Sequence, residues 1–232
     1  LVALLAPWVA PYDPYQQNLR SALLAPTAEY WLGTDGLGRD TLSRLIFGTR
    51  ISMQAALFGV GLASTLGITI GLLAGYVGGL LDRVTVWVVD IFFALPPIIL
   101  AFAILTIMGP GLFNVVLAIG LVMSTRYVRL TRGIVLAERE QVYVESAKVG
   151  GLTTPVILFR HLLPNIAPPL IVQSTQMFAA VLLVEAALSF LGLGVPVGEP
   201  SWGRMLADSQ NNLARQPFLP FPPGIILTLT VL

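Results

Sequence analysis

The side chains that could do chemistry are few, and their types limit what this chain can catalyse. His161 is the only histidine and there is no cysteine, so histidine triads, thiolate nucleophiles and Cys-ligated metal sites all lack members. Residues 31–40 contain several glycines, as phosphate-binding loops do. The Gly-x-x-x-x-Gly-Lys-Ser/Thr pattern of such loops, however, does not occur in the sequence. We therefore expect no catalytic residue, no cofactor and no metal in this chain.

The composition of the chain indicates a membrane protein. Apolar residues make up 56% of the 232 positions and charged residues 11%, against about 45–50% and about 25% in soluble domains. A soluble surface would need more charge than 13 basic and 12 acidic residues supply. The net charge of +1 argues against a nucleic-acid partner, which requires a basic face. We expect a single domain, residues 1–232, much of it surrounded by the lipid bilayer.

Long uncharged runs locate the expected spans. A spanning helix needs about 20 mostly apolar residues, and the turn signal Gly109-Pro110-Gly111 divides the longest run. Because lipid leaves free backbone groups unsatisfied, we expect an all-α protein, with a kink at Pro96-Pro97. Six spans are predicted, over residues 1–10, 51–77, 84–108, 112–130, 166–190 and 219–232. The first and last lie at the ends of the chain, and we expect both helices to be truncated.

Glycines recur at near-helical spacing in the second predicted span. They are Gly59, Gly61, Gly67, Gly71 and Gly75. Small residues let two membrane helices approach closely. We therefore expect this helix to pack tightly against a neighbouring span.

Two carboxylates border or enter apolar sequence, where an ionised side chain is costly. Asp90 directly precedes the uncharged run 91–125, and Glu185 directly follows the run 161–184. Such residues usually face a water-filled path or pair with another charge. Asp90 and Glu185 are candidates for both roles. For Asp90 we favour pairing with an arginine of the neighbouring span, which offers Arg129 and Arg132.

Residues 11–50 lead into the second span, and their glycines and aspartates predict turns and a helix start. Asp35 can accept hydrogen bonds from its own backbone, and Asp40 can cap a helix that begins at Thr41. This would be an interfacial helix that leads into the second span, with Arg39, Arg44 and Arg50 available for lipid headgroups. The candidate residues of this segment are Gly33, Asp35, Gly38, Arg39 and Asp40.

The loop 131–165 carries the most informative pattern. Residues 142–149 predict a short helix, which Gly150-Gly151 would end with a residue able to adopt positive φ. Thr153 or Thr154, followed by Pro155, would begin a second short helix. The positive-inside rule places this loop in the cytoplasm, since basic residues are dense here: Arg126, Arg129, Arg132, Arg139, Lys148 and Arg160.

The same loop resembles the EAA signature of ABC-importer permeases. That signature is Glu-Ala-Ala, three residues, Gly, nine residues, an aliphatic residue, one residue, Leu-Pro. Here Ser146 replaces the second residue and His161 the aliphatic one, and the spacing is unchanged. In that family the segment docks on the ATPase subunit. The resemblance therefore implies these ATPase-coupling residues: Glu145, Ser146, Ala147, Gly150, Gly151, Arg160, His161, Leu163 and Pro164.

A second resemblance covers essentially the whole chain. Residues 31–52, with Leu32-Gly33-Thr34-Asp35 and Leu37-Gly38-Arg39-Asp40, look like the region after the first span in C-type permeases of dipeptide, oligopeptide and nickel importers. Further matching stretches are Ala74-Gly75-Tyr76, Ala94-Leu95-Pro96, Tyr127-Val128-Arg129, Phe190-Leu191-Gly192 and Trp202-Gly203-Arg204.

This resemblance implies an all-α, six-span, type I ABC importer permease in a bacterial or archaeal inner membrane. Its implied partners are a homologous second permease subunit, two cytoplasmic ATPase subunits that bind ATP and Mg, and an external substrate-binding protein. The chain itself would not be an enzyme. It would form half of an alternating-access path for di- or oligopeptides, with residues 11–50 and 191–218 outside and 131–165 inside.

Three alternatives remain open on the sequence. The first is an importer of nickel or another small solute with the same architecture, although the chain lacks the His and Cys ligands that would favour nickel. The second is a channel or secondary transporter, which would usually show internal repeats. The third is a membrane scaffold, which would have no use for a coupling loop with this spacing.

Overall fold

The computed structural model describes residues 2–232, and it is built from helices. The helices are α1 (Val2–Val9), α2 (Thr41–Val77), α3 (Gly79–Phe93), α4 (Pro97–Met108), α5 (Leu112–Glu138), α6 (Val142–Val149), α7 (Thr154–Val156), α8 (Leu163–Phe190), α9 (Trp202–Gln210) and α10 (Phe221–Val231). Within the described residues, extended backbone pairs only in an isolated bridge between Thr34 and Asp40. The expected all-α class is confirmed.

Three continuous helices are long and apolar enough to cross a membrane. They are α2, α5 and the helix Thr154–Phe190, in which a π-helical turn over Ile157–Leu162 joins α7 to α8. α3 and α4 form a fourth candidate that is bent by 89°. α1 and α10 have 8 and 11 residues, fewer than the roughly 20 that a span needs. Three or four spans are therefore supported for residues 2–232, and six stay a prediction.

The expectation of one kinked helix over 84–108 is wrong, because the helix breaks there. α3 ends at Phe93 and α4 begins at Pro97. Pro96 and Pro97 both lack a backbone N–H, and a residue that precedes a proline avoids helical geometry. Pro97 can nevertheless start α4, because the first helical position needs no donor. The prolines thus mark the break between α3 and α4, whereas the pair Pro168-Pro169 lies inside α8 without breaking it.

The chain divides into two compact units. One comprises the described residues up to Gly59, together with Phe102–Ala118 and Ala179–Leu232. The other comprises Val60–Ala101 and Ile119–Phe178. We call them the first and the second unit. The first contains the predicted external segments, and the second contains the predicted coupling loop.

In the second unit, α2 and α5 meet through small residues. A Cβ built on Gly67 would lie 2.4 Å from the carbonyl oxygen of Ser124, and one built on Gly71 would lie 2.7 Å from the Cβ of Thr131. Both distances are far shorter than van der Waals contact. The predicted packing role is confirmed at these two glycines, whereas Gly61 faces open space.

In the first unit, the predicted external loop 191–218 contains a helix that the sequence analysis missed. Ser201 caps α9 by accepting a hydrogen bond from the Arg204 amide at 3.2 Å. The Trp202 side chain is 1% exposed, and its indole nitrogen donates to the carbonyl oxygen of Leu45 at 3.3 Å. This tryptophan therefore anchors α9 on the first turns of α2.

Candidate functional site

The first residues of the predicted coupling loop, 131–138, still belong to α5. α6 follows with the expected bounds and ends in a Schellman cap. The Leu152 amide donates to the Ala147 carbonyl at 3.1 Å, and the Gly151 amide donates to the Lys148 carbonyl at 3.0 Å. Gly151 has a φ of 76°, a conformation that costs side-chain-bearing residues about 1–2 kcal/mol. The predicted positive φ is confirmed, and it falls on Gly151.

One face of α6 is buried against three longer helices. Val144 and Ala147 join an apolar core cluster whose other buried members come from α2, α5 and the helix Thr154–Phe190: Leu72, Val135, Ile157, Leu158, Leu162, Ile166 and Leu170. Packed interiors transmit displacement because they contain few voids. A force that moves α6 is therefore passed to the ends of all three helices.

The opposite face of the loop is exposed and partly apolar. Glu145 and Ser146 are exposed, and Val142 and Val149 are 76% and 84% exposed. Exposed apolar side chains continue past the cap at Leu152, Val156 and Phe159. We call these seven residues the coupling face. Clustered exposed apolar side chains rimmed by polar ones are typical of protein-interaction surfaces.

The second short helix expected in this loop is not separate, so that expectation is wrong. Thr153 is extended and precedes α7, with Pro155 in the first turn, as predicted, but its side chain makes no capping hydrogen bond. α7 then continues through the π-helical turn into α8. Arg160, which is exposed, and His161, which is half-buried, belong to that turn. The first residues of α8 are half-buried Leu163 and exposed Pro164.

Polar contacts that the sequence analysis missed hold the junction of α5 and α6. The Tyr143 hydroxyl donates to Oε2 of Glu138 at 2.8 Å, and burial raises the pKa of Tyr143. Nη1 of Arg139 donates to the carbonyl oxygen of Gly75 at 3.0 Å, which joins the ends of α5 and α2. These contacts fix the point at which the loop leaves the long helices.

Asp90 forms the ion pair favoured for it. Nη2 of Arg129 lies 3.0 Å from Oδ1 of Asp90, with the two side chains 56% and 60% exposed. The Arg129 guanidinium also lies 3.8 Å from the centre of the Phe93 ring. Arg132, the other arginine considered, pairs through two nitrogens with Asp82.

Glu185 is buried within the first unit. Its side chain is 1% exposed and accepts hydrogen bonds from Oγ of Ser189 at 2.7 Å and Oγ of Ser52 at 3.2 Å. The Trp202 amide donates to the same Ser52 oxygen at 3.4 Å. Glu185 therefore links α2, α8 and the start of α9, and a role in a transport path stays a prediction.

The predicted turns and cap of the external segment are present. Oδ1 of Asp35 accepts from the amides of Leu37 and Arg39 at 2.9 and 3.0 Å. Oδ2 of Asp40 accepts from the Ser43 amide at 2.8 Å, which caps α2 at its predicted start. Two glycines adopt positive φ in these turns, Gly33 and Gly38.

The expected headgroup role is wrong for Arg39 and Arg44, because both are buried. They are 5% and 1% exposed, and their Nε atoms lie 2.7 and 3.4 Å from Oδ2 of Asp35. Nη1 of Arg44 also donates to the carbonyl oxygens of Pro14 and Gly198, at 3.1 and 3.2 Å. Arg44 thus holds two separate loops against α2. The helix begins at Thr41 and continues into the second span, as predicted.

Comparison with known proteins identifies the family of this chain. The profile of a family described as "Binding-protein-dependent transport system inner membrane component" matches residues 67–232, which include the whole coupling face. The chain belongs to this family. It is therefore a multi-pass permease subunit of an ABC importer.

Similar permeases come from several bacteria. The di/tripeptide transport system permease protein DppC of Pseudomonas aeruginosa is 45% identical over 99% of this chain and 78% of its own length. The dipeptide transport system permease protein DppC of Haemophilus influenzae is 41% identical over 100% of this chain and 81% of its own length. The nickel transport system permease protein NikC of Escherichia coli is 38% identical over 100% of this chain and 84% of its own length.

Proposed function

We propose that this permease forms half of the translocation path of a di- or oligopeptide importer. A homologous second permease supplies the other half, two ATPase subunits bind ATP and Mg, and an external binding protein delivers the peptide. In this proposal the chain crosses a bacterial or archaeal inner membrane six times. The loop 131–165 is cytoplasmic, and residues 11–50 and 191–218 are external.

The observation that carries the proposal is the two-sided character of the coupling loop. Its inner face packs on α2, α5 and the helix Thr154–Phe190, while its outer face exposes apolar side chains such as Val149. An ATPase that binds the outer face can therefore move three candidate spans together. Such a rigid-body movement suits alternating access, in which ATP-driven closure of the ATPases turns the path from one side to the other.

The peptide substrate is supported by the names of the relatives and by the chemistry of the chain. The relatives named for di/tripeptides and dipeptides are 45% and 41% identical to it. The nickel permease is also similar, at 38%. Nickel, however, favours imidazole ligands, and the sequence offers only His161 and no cysteine.

Reconstitution tests this proposal. The permease is placed in proteoliposomes with its second permease, its ATPases and its binding protein, and uptake of a dipeptide panel and of nickel is measured with and without ATP. We expect ATP-dependent uptake of several dipeptides. Uptake of nickel alone would contradict the peptide assignment, and uptake without the ATPases would contradict the coupling mechanism.

A further inference from the structure

A cleft of about 470 Å³ lies in the first unit, apart from the coupling face. This volume falls in the range of about 300–1,000 Å³ that is typical of small-molecule sites. Six of its lining residues matter for the argument: Tyr15, Phe47, Arg50, Gln54, Leu112 and Glu199. They combine a cation, an anion, an amide, two aromatic rings and an aliphatic side chain.

One wall of the cleft is a single helix face. Phe47, Arg50 and Gln54 follow one another on α2 at intervals of three and four residues, which places them on the same side of the helix. Arg50 is exposed. Within residues 2–232, no carboxylate oxygen lies within 4.0 Å of its guanidinium nitrogens. The cleft therefore contains a cation whose charge the described part of the chain does not neutralise at close range.

The same cleft is also lined by a carboxylate that accepts a hydrogen bond but is not neutralised. The Tyr15 hydroxyl donates to Oε2 of Glu199 at 2.8 Å. Burial, together with this hydrogen bond, raises the pKa of Tyr15 to about 12, so the hydroxyl stays a donor at physiological pH. Among the described residues Glu199 has no cationic partner within 4.0 Å. Arg50 and Glu199 thus line one cleft without pairing with each other.

Hydrogen bonds hold the backbone around the cleft in place. Nη1 of Arg44 donates to the carbonyl oxygens of Pro14 and Gly198, the residues directly before Tyr15 and Glu199. The Gly111 amide donates to the carbonyl oxygen of Gly194 at 2.9 Å, which fixes the chain beside Leu112. Arg44, which lies on the same helix as Arg50, therefore fixes the backbone beside Tyr15 and Glu199 relative to α2.

We propose that this cleft binds the termini of a zwitterionic peptide, with Glu199 receiving the ammonium group and Arg50 the carboxylate. The proposal rests on the proposed function and adds a recognition site to it. In the proposed membrane topology, the cleft lies at the external end of α2, where the binding protein releases the peptide.

The chemistry of the cleft fits a short peptide. Two extended residues span about 7 Å, and the charged groups of Arg50 and Glu199 are more than 4.0 Å apart. Charged groups recognise peptide termini through charge-assisted hydrogen bonds. The apolar side chains of Phe47 and Leu112 contact side chains without demanding a particular one. A metal ion fits poorly, because Arg50 repels cations.

Direct binding tests the proposal. The complete complex, purified without its binding protein, is titrated with radiolabelled alanyl-alanine, and unlabelled alanyl-alanine, its N-acetyl derivative and its C-terminal amide compete for the site. We expect each blocked derivative to compete at least about tenfold more weakly, since each loses one charged contact. Glu199→Gln should abolish the penalty for N-acetylation, and Arg50→Gln should abolish the penalty for amidation.

Matched controls and uptake assays separate the possible failures. Glu29→Gln and Arg20→Gln remove the same charges from exposed positions outside the cleft and should keep the wild-type order of competitors. Equal competition by all three ligands, or an unchanged order in both cleft variants, would overturn the proposal. An equal loss of uptake for every peptide, together with weaker attachment of the binding protein, would instead make the cleft a docking surface. Absence of any dipeptide uptake by the wild-type complex would remove the proposed function itself.

Discussion

The backbone of α2 at Gly67 lies directly against the backbone of α5 at Ser124. A Cβ added to Gly67 would be 2.4 Å from the Ser124 carbonyl oxygen and equally close to the Cβ of Tyr127. Neither the carbonyl oxygen nor the Cβ can move without moving the α5 backbone. Two of the three helices that pack on α6 are therefore in backbone contact with each other at this position.

Gly67→Ala should destabilise the permease, because the added methyl group forces α2 and α5 apart. Overpacking of this kind costs about 1–3 kcal/mol. Gly61→Ala is the matched control on the same helix, since nothing lies within 4 Å of its added Cβ. Thermal unfolding of the purified complex measures both variants. Equal stability of the two would contradict the packing described here.

Gly151→Ala should loosen the end of α6, because alanine is strained at a φ of 76°. A cost of about 1 kcal/mol corresponds to roughly fivefold faster opening of the cap. Hydrogen exchange at the Leu152 amide reports this opening. Gly150→Ala is the control, since Gly150 has a φ of −68°. Faster exchange in Gly150→Ala than in Gly151→Ala would count against the Schellman cap.

Arg44→Met should release the loops that precede Tyr15 and Glu199. Removing one partner of a buried charge network costs about 3–5 kcal/mol, and Arg44 is 1% exposed. We expect faster proteolytic cleavage within residues 11–40 and 191–201. Arg20→Met, at an exposed position, should leave the cleavage rate unchanged. Cleavage of Arg44→Met at the wild-type rate would show that other contacts hold the loops.

Two substitutions of Glu185 distinguish a structural role of this side chain from a role in the transport path. Glu185→Ala leaves the hydroxyls of Ser52 and Ser189 without their acceptor and opens a cavity, at a cost of about 2–4 kcal/mol. Glu185→Gln keeps the volume and an acceptor, so we expect a loss of about 1 kcal/mol or less. Unfolding measurements and a peptide uptake panel check both variants. An altered peptide preference in Glu185→Gln at unchanged stability would assign Glu185 to the path.

The sequence predicted those features that depend on local chemistry. The α6 bounds, the positive φ after it and the Asp40 cap follow from residue types within a few positions, and the glycine contacts follow from helical spacing. The break before Pro97 is also local, but we predicted a kink at these prolines. A second pair, Pro168-Pro169, lies inside the continuous helix Thr154–Phe190, so two consecutive prolines do not by themselves decide between a kink and a break.

Features that depend on distant partners could not be predicted. Arg44 was predicted to face lipid headgroups, because its partners Pro14 and Gly198 lie far from it in sequence. The helix α9 was missed because its anchor is the contact of Trp202 with Leu45. The cleft lined by Arg50 and Glu199 could not be predicted either, because only the fold brings these two distant residues to one cleft.

Attachment of the ATPases to the coupling face tests the central claim most directly. Val149 lies on the coupling face and Val197 on the predicted external loop, with 84% and 83% exposure, so aspartate at each position should leave folding intact. We expect Val149→Asp to lose at least about tenfold in ATPase affinity in a pull-down titration, the effect of about 1.4 kcal/mol, while Val197→Asp binds like the wild type. Wild-type ATPase binding by Val149→Asp, or its loss in Val197→Asp alone, would contradict the account.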